Sequence, residues 1–280
     1  MDSDGELDRV YRKVDRAFRQ FLMERSGIKR VEQIMNREVI TIDDNASLLT
    51  AAQRMVDHKI GSLVVTKNGN AWGLVTDKDV ITVLAAGKEL ADIRIKDAMS
   101  TPLISIRPAA TIAEAATRMI RRGGGLVVFE GGTLVGIITA SDIIKSLPEC
   151  PETLLKIDDF MSQKIVSLDE SASAAEAITL MVDEKVGSII VNRNGKPQSL
   201  FTDGDLLLHY FTEERDLFVP IRNAGSSPLK TIPLGTTIHK AAYIMSTEKV
   251  KRLPVAKDDT LLGIITARDL IRAYAEYDTL

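Results

Sequence analysis

The sequence is poor in cysteine and contains no long apolar run. Cys150 is the single cysteine among 280 residues, which excludes an internal disulfide and a multi-cysteine metal site. Apolar runs such as Leu126–Phe129 are far shorter than the roughly 20 residues of a membrane-spanning helix. The net charge of −3 offers no overall positive field for nucleic acid or an anionic membrane. The acidic start, Met1–Glu6, is not typical of a signal peptide, so we expect a cytoplasmic protein.

The sequence also lacks the residue patterns of a catalytic centre. His58, His209 and His239 are far apart and show neither metal-ligand spacing nor a paired nucleophile. There is no P-loop and no dinucleotide-binding glycine fingerprint. We therefore expect no enzyme activity, no catalytic residue, no metal and no cofactor, and we interpret the histidines as surface or packing residues.

The main feature that is present is a short phrase that occurs four times. A glycine or serine is followed by two apolar residues, a threonine, two variable residues and an aspartate. The threonines recur every 63 or 64 residues, at Thr76, Thr139, Thr202 and Thr266. Such regular spacing indicates an internal repeat.

Each repeat shows the same predicted secondary structure. A β-rich run is followed by an amphipathic helix and then by a strongly apolar strand. A tight turn such as Asn68-Gly69 leads into a second hairpin strand, which ends at the threonine. Another helix follows, so each repeat is a βαββα unit and the fold class is α/β (α+β).

A single unit of this size is too small to bury both faces of its sheet, so we expect repeats to pair into two modules. The segment between the modules contains Pro148 and Pro151 and is predicted to be a linker. An apolar stripe near the N-terminus predicts an amphipathic helix that packs on the first module or forms a dimer contact. The predicted boundaries are N-terminal helix 1–28, first module 29–147, linker 148–156 and second module 157–280, with repeats at about 29–88, 92–147, 157–212 and 217–275.

Over about residues 30–275 the repeats resemble the cystathionine-β-synthase (CBS) domain family. The repeated phrase, the repeat length and the tandem arrangement carry this resemblance. Three repeats also open with the methionine typical of the family, at Met35, Met99 and Met161, whereas the fourth has Gly225. The resemblance implies that two repeats pair about a pseudo-twofold axis into a Bateman module. It also implies a disk-like intramolecular assembly of four repeats or a homodimer.

The resemblance further implies a ligand and a role. Modules of this family resemble one another in offering up to two clefts for adenosyl ligands, chiefly AMP, ADP or ATP, with S-adenosylmethionine as a variant. Family members usually regulate an enzyme or transporter on the same chain. Because no such domain is evident here, we expect a stand-alone sensor of adenine nucleotides that signals to a separate protein. A ligand-free assembly scaffold is an alternative, and a nucleic-acid-binding regulator is a less favoured one because the composition is acidic.

The repeated phrase supplies the predicted ligand-binding residues. Its threonine lies where a strand gives way to a helix, and helix N-termini attract phosphate oxygens. The aspartate, one turn later, can accept hydrogen bonds from ribose hydroxyls. The apolar residue before each threonine is predicted to border the adenine. These sets are Val75, Thr76 and Asp79; Ile138, Thr139 and Asp142; Phe201, Thr202 and Asp205; and Ile265, Thr266 and Asp269.

The sequence leaves two questions open at these motifs. The same threonine–aspartate spacing resembles a helix capping box, which needs no ligand. Lys249 and Arg252 belong to the densest basic cluster, which is either a phosphate site or a solvated face. Because Asp77 and Asp203 add negative charge to the odd-numbered motifs, we expect the even-numbered motifs to be the better phosphate acceptors.

Overall fold

The computed structural model describes residues 29–147, 154–222, 224–258 and 260–278. The helix predicted for residues 1–28 lies outside this range, as does most of the predicted linker. Among the described residues, each repeat has the predicted order of strands and helices. No helix in the described ranges combines the length and apolarity needed to cross a membrane.

Each repeat contains two longer helices, and a short helix or a 3₁₀ turn precedes repeats 1, 2 and 3. The helices are α1 Val31–Ile34, α2 Leu48–His58, α3 Asp77–Ala85, α4 Ile95–Ala98, α5 Ile112–Arg122, α6 Ala140–Ser146, α7 Ala174–Asp183, α8 Asp203–Thr212, α9 Ile238–Glu248 and α10 Ala267–Asp278, with a 3₁₀ turn at Ile157–Asp159. The strands are β1 Thr41–Asp43, β2 Ser62–Lys67, β3 Asn70–Thr76, β4 Ser105–Ile106, β5 Leu126–Glu130, β6 Thr133–Ile138, β7 Ser167–Asp169, β8 Ser188–Arg193, β9 Lys196–Thr202, β10 Ile232–Pro233, β11 Arg252–Lys257 and β12 Thr260–Thr266.

Each repeat forms its own three-stranded sheet. In repeat 1, β1 pairs in parallel with β2, and β2 pairs antiparallel with β3. The other three sheets have the same order and the same directions. In repeat 3, Thr202 pairs with Ser188, so the start of the second helix lies beside the start of the central strand. This arrangement places the threonine–aspartate motif at one edge of each sheet.

Two large apolar cores combine residues of different modules. Core 1/3 joins repeats 1 and 3, with Leu48 and Phe201 among its completely buried residues. Core 2/4 joins repeats 2 and 4 in the same way, through residues such as Leu126 and Leu270. One smaller cluster lies between the two sheets of each module. Each repeat therefore contacts one neighbour through its sheet and another through its helices.

The segment that precedes each repeat packs on the other repeat of its module. Helix α1 precedes repeat 1, but Val31 is buried in core 2/4 and Asn36 bridges to Ile137 of repeat 2. Helix α4 precedes repeat 2, but Ile95 is buried in core 1/3. The second module repeats this exchange, for example through the bridge between Leu200 and Ser226. We call these the exchanged segments, and they interlock the repeats of each module.

Candidate functional site

All four threonine–aspartate motifs form a helix capping box. In repeat 3, the Oδ2 atom of Asp205 accepts hydrogen bonds from the amide of Thr202 at 2.9 Å and from its hydroxyl at 2.7 Å. The other three repeats contain the same two bonds at 2.6 to 3.0 Å. Each motif therefore caps its helix, because the aspartate satisfies groups that would otherwise be unpaired at the helix start.

Capping leaves one carboxylate oxygen of the repeat 3 motif available. Within the described part of the chain, the Oδ1 atom of Asp205 has no hydrogen-bond or ion-pair partner. In repeat 4, by contrast, Oδ1 of Asp269 lies 3.4 Å from the guanidinium of Arg272. A carboxylate oxygen has two lone pairs, so Oδ1 of Asp205 can accept from a hydroxyl without disturbing the cap.

The apolar residues that precede the threonines lie in the cores. Val75, Ile138, Phe201 and Ile265 are all 0% exposed. This burial contradicts the prediction that they border an adenine. Successive side chains of a strand alternate between the two faces, and the residue directly before the threonine faces the helices. The residue before that faces the other way, and in repeat 3 this residue, Leu200, lines a cleft.

A cleft of about 890 Å³ opens beside the motif of repeat 3. One wall is Thr202–Asp205 at the start of α8, and another is the exchanged segment Gly225–Pro228. Lys249–Pro254 of repeat 4 forms the opposite side, and residues of repeat 1 between Met55 and Lys78 close the cleft. Three repeats from both modules therefore line a space within the usual size range of ligand sites.

The cleft is rich in cationic side chains. Arg252 donates a hydrogen bond to the Oδ2 atom of Asp203 at 2.7 Å, and Lys230 forms an ion pair with Glu248. Burial raises the pKa of Asp203 to about 6, although the charge of Arg252 opposes this effect. The cationic residues on its surface are Lys59, Lys78, Lys230, Lys249, Lys251 and Arg252.

The basic cluster Lys249–Arg252 lies beside an odd-numbered motif, that of repeat 3. The preference predicted for the even-numbered motifs rested on the negative charge of Asp77 and Asp203. In the structure, Arg252 pairs with Asp203, and the cluster shares one cleft with Thr202 and Asp205. The main chain of Arg252 pairs with Thr266, yet its side chain extends to repeat 3. The sequence could not show this, because the cluster is contributed by the neighbouring repeat.

Several lining residues were missed by the sequence argument. Leu200 was missed because the residue directly before the threonine was taken as the neighbour of the base, and Lys230 was missed because it belongs to another repeat. One signal was available: Gly225, which interrupts the methionine pattern, lies in the cleft wall.

The histidines lie outside this cleft. His58 is exposed, whereas His209 and His239 are buried. The ring of His209 packs edge-on against Phe201 at 6.5 Å between ring centroids, which agrees with a packing role. The described residues contain no group of three or more potential metal ligands.

Comparison with known proteins establishes the family. The CBS domain model matches residues 31–86, 95–149, 157–211 and 221–276. The chain belongs to the CBS domain family. CBS-domain proteins are in general regulatory rather than catalytic.

Similar CBS-domain proteins occur in archaea. The uncharacterized protein MJ1404 of Methanocaldococcus jannaschii is 23% identical over 266 residues, which cover 88% of this chain and 62% of MJ1404. This chain thus spans less than two thirds of the length of that relative. MJ1225 from the same organism is 25% identical over 195 residues, which cover 64% of this chain and 69% of MJ1225.

Two solved structures share the arrangement of four repeats. The crystal structure of MJ1225, whose description relates that protein to g-AMPK, matches with a TM-score of 0.75 at 20% identity. It covers 88% of this chain and 100% of the solved one. A conserved protein from Pyrococcus horikoshii matches with a TM-score of 0.62 at 19% identity and covers 88% of this chain and 99% of the solved one. At these identities the similarity shows the fold.

Proposed function

We propose that this CBS-domain protein senses an adenine nucleotide in the cleft of repeat 3 and signals to a separate protein partner. The observation that carries this proposal is the position of Thr202 and Asp205 opposite Lys249–Arg252 in one cleft. An anionic group there would meet both the start of α8 and the cationic side chains.

The chemistry of the cleft suits the three parts of a nucleotide. Phosphate oxygens would bind Lys249, Lys251 and Arg252, and ribose hydroxyls would donate to Oδ1 of Asp205. Leu200 and the exposed side chain of Leu208 provide an apolar surface for the base. The abundance of cationic groups favours AMP, ADP or ATP over S-adenosylmethionine, whose sulfonium centre is positively charged.

The position of the cleft suggests how binding would be transmitted. Repeat 1 contributes Lys59, Asp77 and Lys78 to the lining, while the motif belongs to repeat 3. A ligand that contacts both modules favours the arrangement in which these contacts are made. Its binding would therefore alter the surface that both modules offer to a partner.

A ligand-free assembly scaffold is the second candidate. It is favoured by the capping boxes, because all four threonine–aspartate pairs are satisfied by the protein itself. On this account the motifs only start helices, and the function lies in the outer surfaces.

Thermal-shift and calorimetric titrations with AMP, ADP, ATP and S-adenosylmethionine test the two candidates. A nucleotide at 100 times its Kd stabilises the protein by about 2.7 kcal/mol, which raises the Tm by a few degrees. We expect this shift to be lost in Asp205→Ala and to be weaker in Arg252→Ala.

The matched control is Asp142→Ala, which removes the same capping contact from repeat 2, outside this cleft. It should keep the ligand-induced shift although it lowers the Tm of the free protein. The absence of any shift at millimolar concentration would favour the scaffold. Binding that depends on Asp142 or Asp269 but not on Asp205 would instead assign the ligand to the even-numbered motifs.

A further inference from the structure

In module 1, a glycine of the repeated phrase makes room for the methionine of an exchanged segment. A Cβ atom on Gly73 would stand 2.6 Å from the Sδ atom of Met99. A Cβ atom on Gly136 would stand 2.7 Å from the Sδ atom of Met35. Both distances are shorter than real Cβ contacts, so the methionine and the glycine depend on each other.

Module 2 keeps this pair in repeat 4 but not in repeat 3. The Sδ atom of Met161 lies 3.3 Å from the position of a Cβ on Gly263. In repeat 3 both partners have changed: the glycine of the phrase is Ser199, which is buried, and the methionine is Gly225. The main chain of Gly225 has a φ of +94°, and a Cβ there would stand 2.5 Å from the carbonyl oxygen of Leu200.

The changed pair borders the candidate cleft. Gly225 lines it together with Leu200, and the bridge between Leu200 and Ser226 holds the exchanged segment against β9. The equivalent bridge in repeat 1 joins Leu74 to Ser100, so the exchanged segments occupy corresponding places. The side chain of Met99 fills the space beside Gly73 of repeat 1, whereas Gly225, at the corresponding place beside repeat 3, carries only a hydrogen atom.

We propose that the joint change to Gly225 and Ser199 opens a subsite for the planar base of a nucleotide. Repeat 3 thereby becomes the site of the chain that selects a nucleotide over a phosphate without a base. The ligand class in this inference rests on the proposed function. The subsite borders Leu200, and the exposed side chain of Leu208 lines the same cleft. An uncharged aromatic ring gains from burial against such a surface, whereas the phosphates are drawn to the cationic side of the cleft.

The inference is tested by restoring the methionine–glycine pair in repeat 3. The double variant Gly225→Met/Ser199→Gly should bind ATP at least ten-fold more weakly than the wild type in calorimetric titrations. Inorganic tripolyphosphate, which has no base, should bind the two proteins within about two-fold of each other. The matched control Met99→Gly/Gly73→Ser makes the reverse change in repeat 1 and should leave the affinity for ATP within about two-fold. Circular dichroism of each variant reports whether the fold is retained.

A second variant keeps the test valid if the double variant does not fold. Ser226 is exposed and lines the same cleft, so Ser226→Trp fills the subsite without a left-handed main chain. It should also weaken ATP at least ten-fold. ATP binding within two-fold of wild type in the folded variants would overturn the inference and leave the proposed function intact. Failure of the wild type to bind any adenine nucleotide would overturn both.

Discussion

At the scale of single residues, the pKa of Asp203 is raised more clearly than that of any other described acid. It is 5% exposed, its carboxylate pairs with Arg252, and it lies close enough to Asp77 for the two charges to repel. Burial disfavours the ionised form more strongly than Arg252 favours it, so the pKa rises to about 6. An acid in this position changes its charge just below neutral pH, at the wall of the candidate cleft.

The raised pKa of Asp203 predicts a pH-dependent free energy of unfolding. Because the native pKa of about 6 exceeds the unfolded value of 3.8, the native state retains a proton that the unfolded state has already released. This stabilisation is complete below about pH 4 and is lost as the pH rises through 6. Asp203→Asn removes this pH dependence. The free energy of unfolding of the variant minus that of the wild type should therefore be higher at pH 7.5 than at pH 5, by about 1 kcal/mol.

Urea unfolding of both proteins at the two pH values measures this difference. The substitution also removes the charge partner of Arg252, but Arg252 stays charged at both values, so that effect cancels between them. A difference that does not change with pH would show that Asp203 titrates as it does in the unfolded chain.

At the scale of elements, the first long helix of three repeats is followed within two residues by a lysine with a left-handed main chain. The φ angles of Lys59, Lys185 and Lys249 are 54°, 54° and 55°. Repeat 2 has Gly123 after the corresponding helix, with a φ of 77°. Glycine is the residue that adopts such angles without strain. Lys59 and Lys249 line the candidate cleft.

Lys185 does not line this cleft, so its replacement tests the strain alone. We expect Lys185→Gly to raise the free energy of unfolding by about 1 kcal/mol, because glycine relieves the left-handed main chain. The control Asp183→Gly lies within the exposed last turn of α7 and should lower it by about 1 kcal/mol. Unfolding in guanidinium chloride compares the two variants with the wild type. Equal changes in the free energy of unfolding would contradict this account.

The elements themselves were predictable from the sequence, and their partners were not. Polar residues at helix starts and turns such as Asn68-Gly69 report local geometry, so the βαββα unit was predicted correctly. The exchange that brings Ile95 into core 1/3 leaves no mark in the local pattern, because either repeat of a module would bury an apolar side chain equally well. For the same reason, the sequence identified Thr202 and Arg252 as candidate site residues but did not show that one cleft unites them.

At the scale of the whole molecule, the two modules share their cores. Core 1/3 and core 2/4 each combine helices from both modules, whereas only the smaller clusters lie within a single module. Neither module can bury its helices fully without the other. The modules are therefore expected to unfold together.

Calorimetry of the full chain tests this cooperativity. We expect a single transition with equal calorimetric and van't Hoff enthalpies. Phe201→Ala, which empties space in core 1/3, should lower the free energy of unfolding by about 3–5 kcal/mol and move the whole transition to lower temperature. Two separate transitions, with only one of them moved, would show that the modules are independent.

The shared core also sets the order in which the chain can mature on the ribosome. Leu48 and Ile221 are buried in the same core, although they are far apart in the sequence. Synthesis proceeds from the N-terminus, so core 1/3 stays incomplete until Ile221 has been made. During that interval the helices of repeat 1 lack the partners that bury them in the folded chain, so we expect the growing chain to bind chaperones.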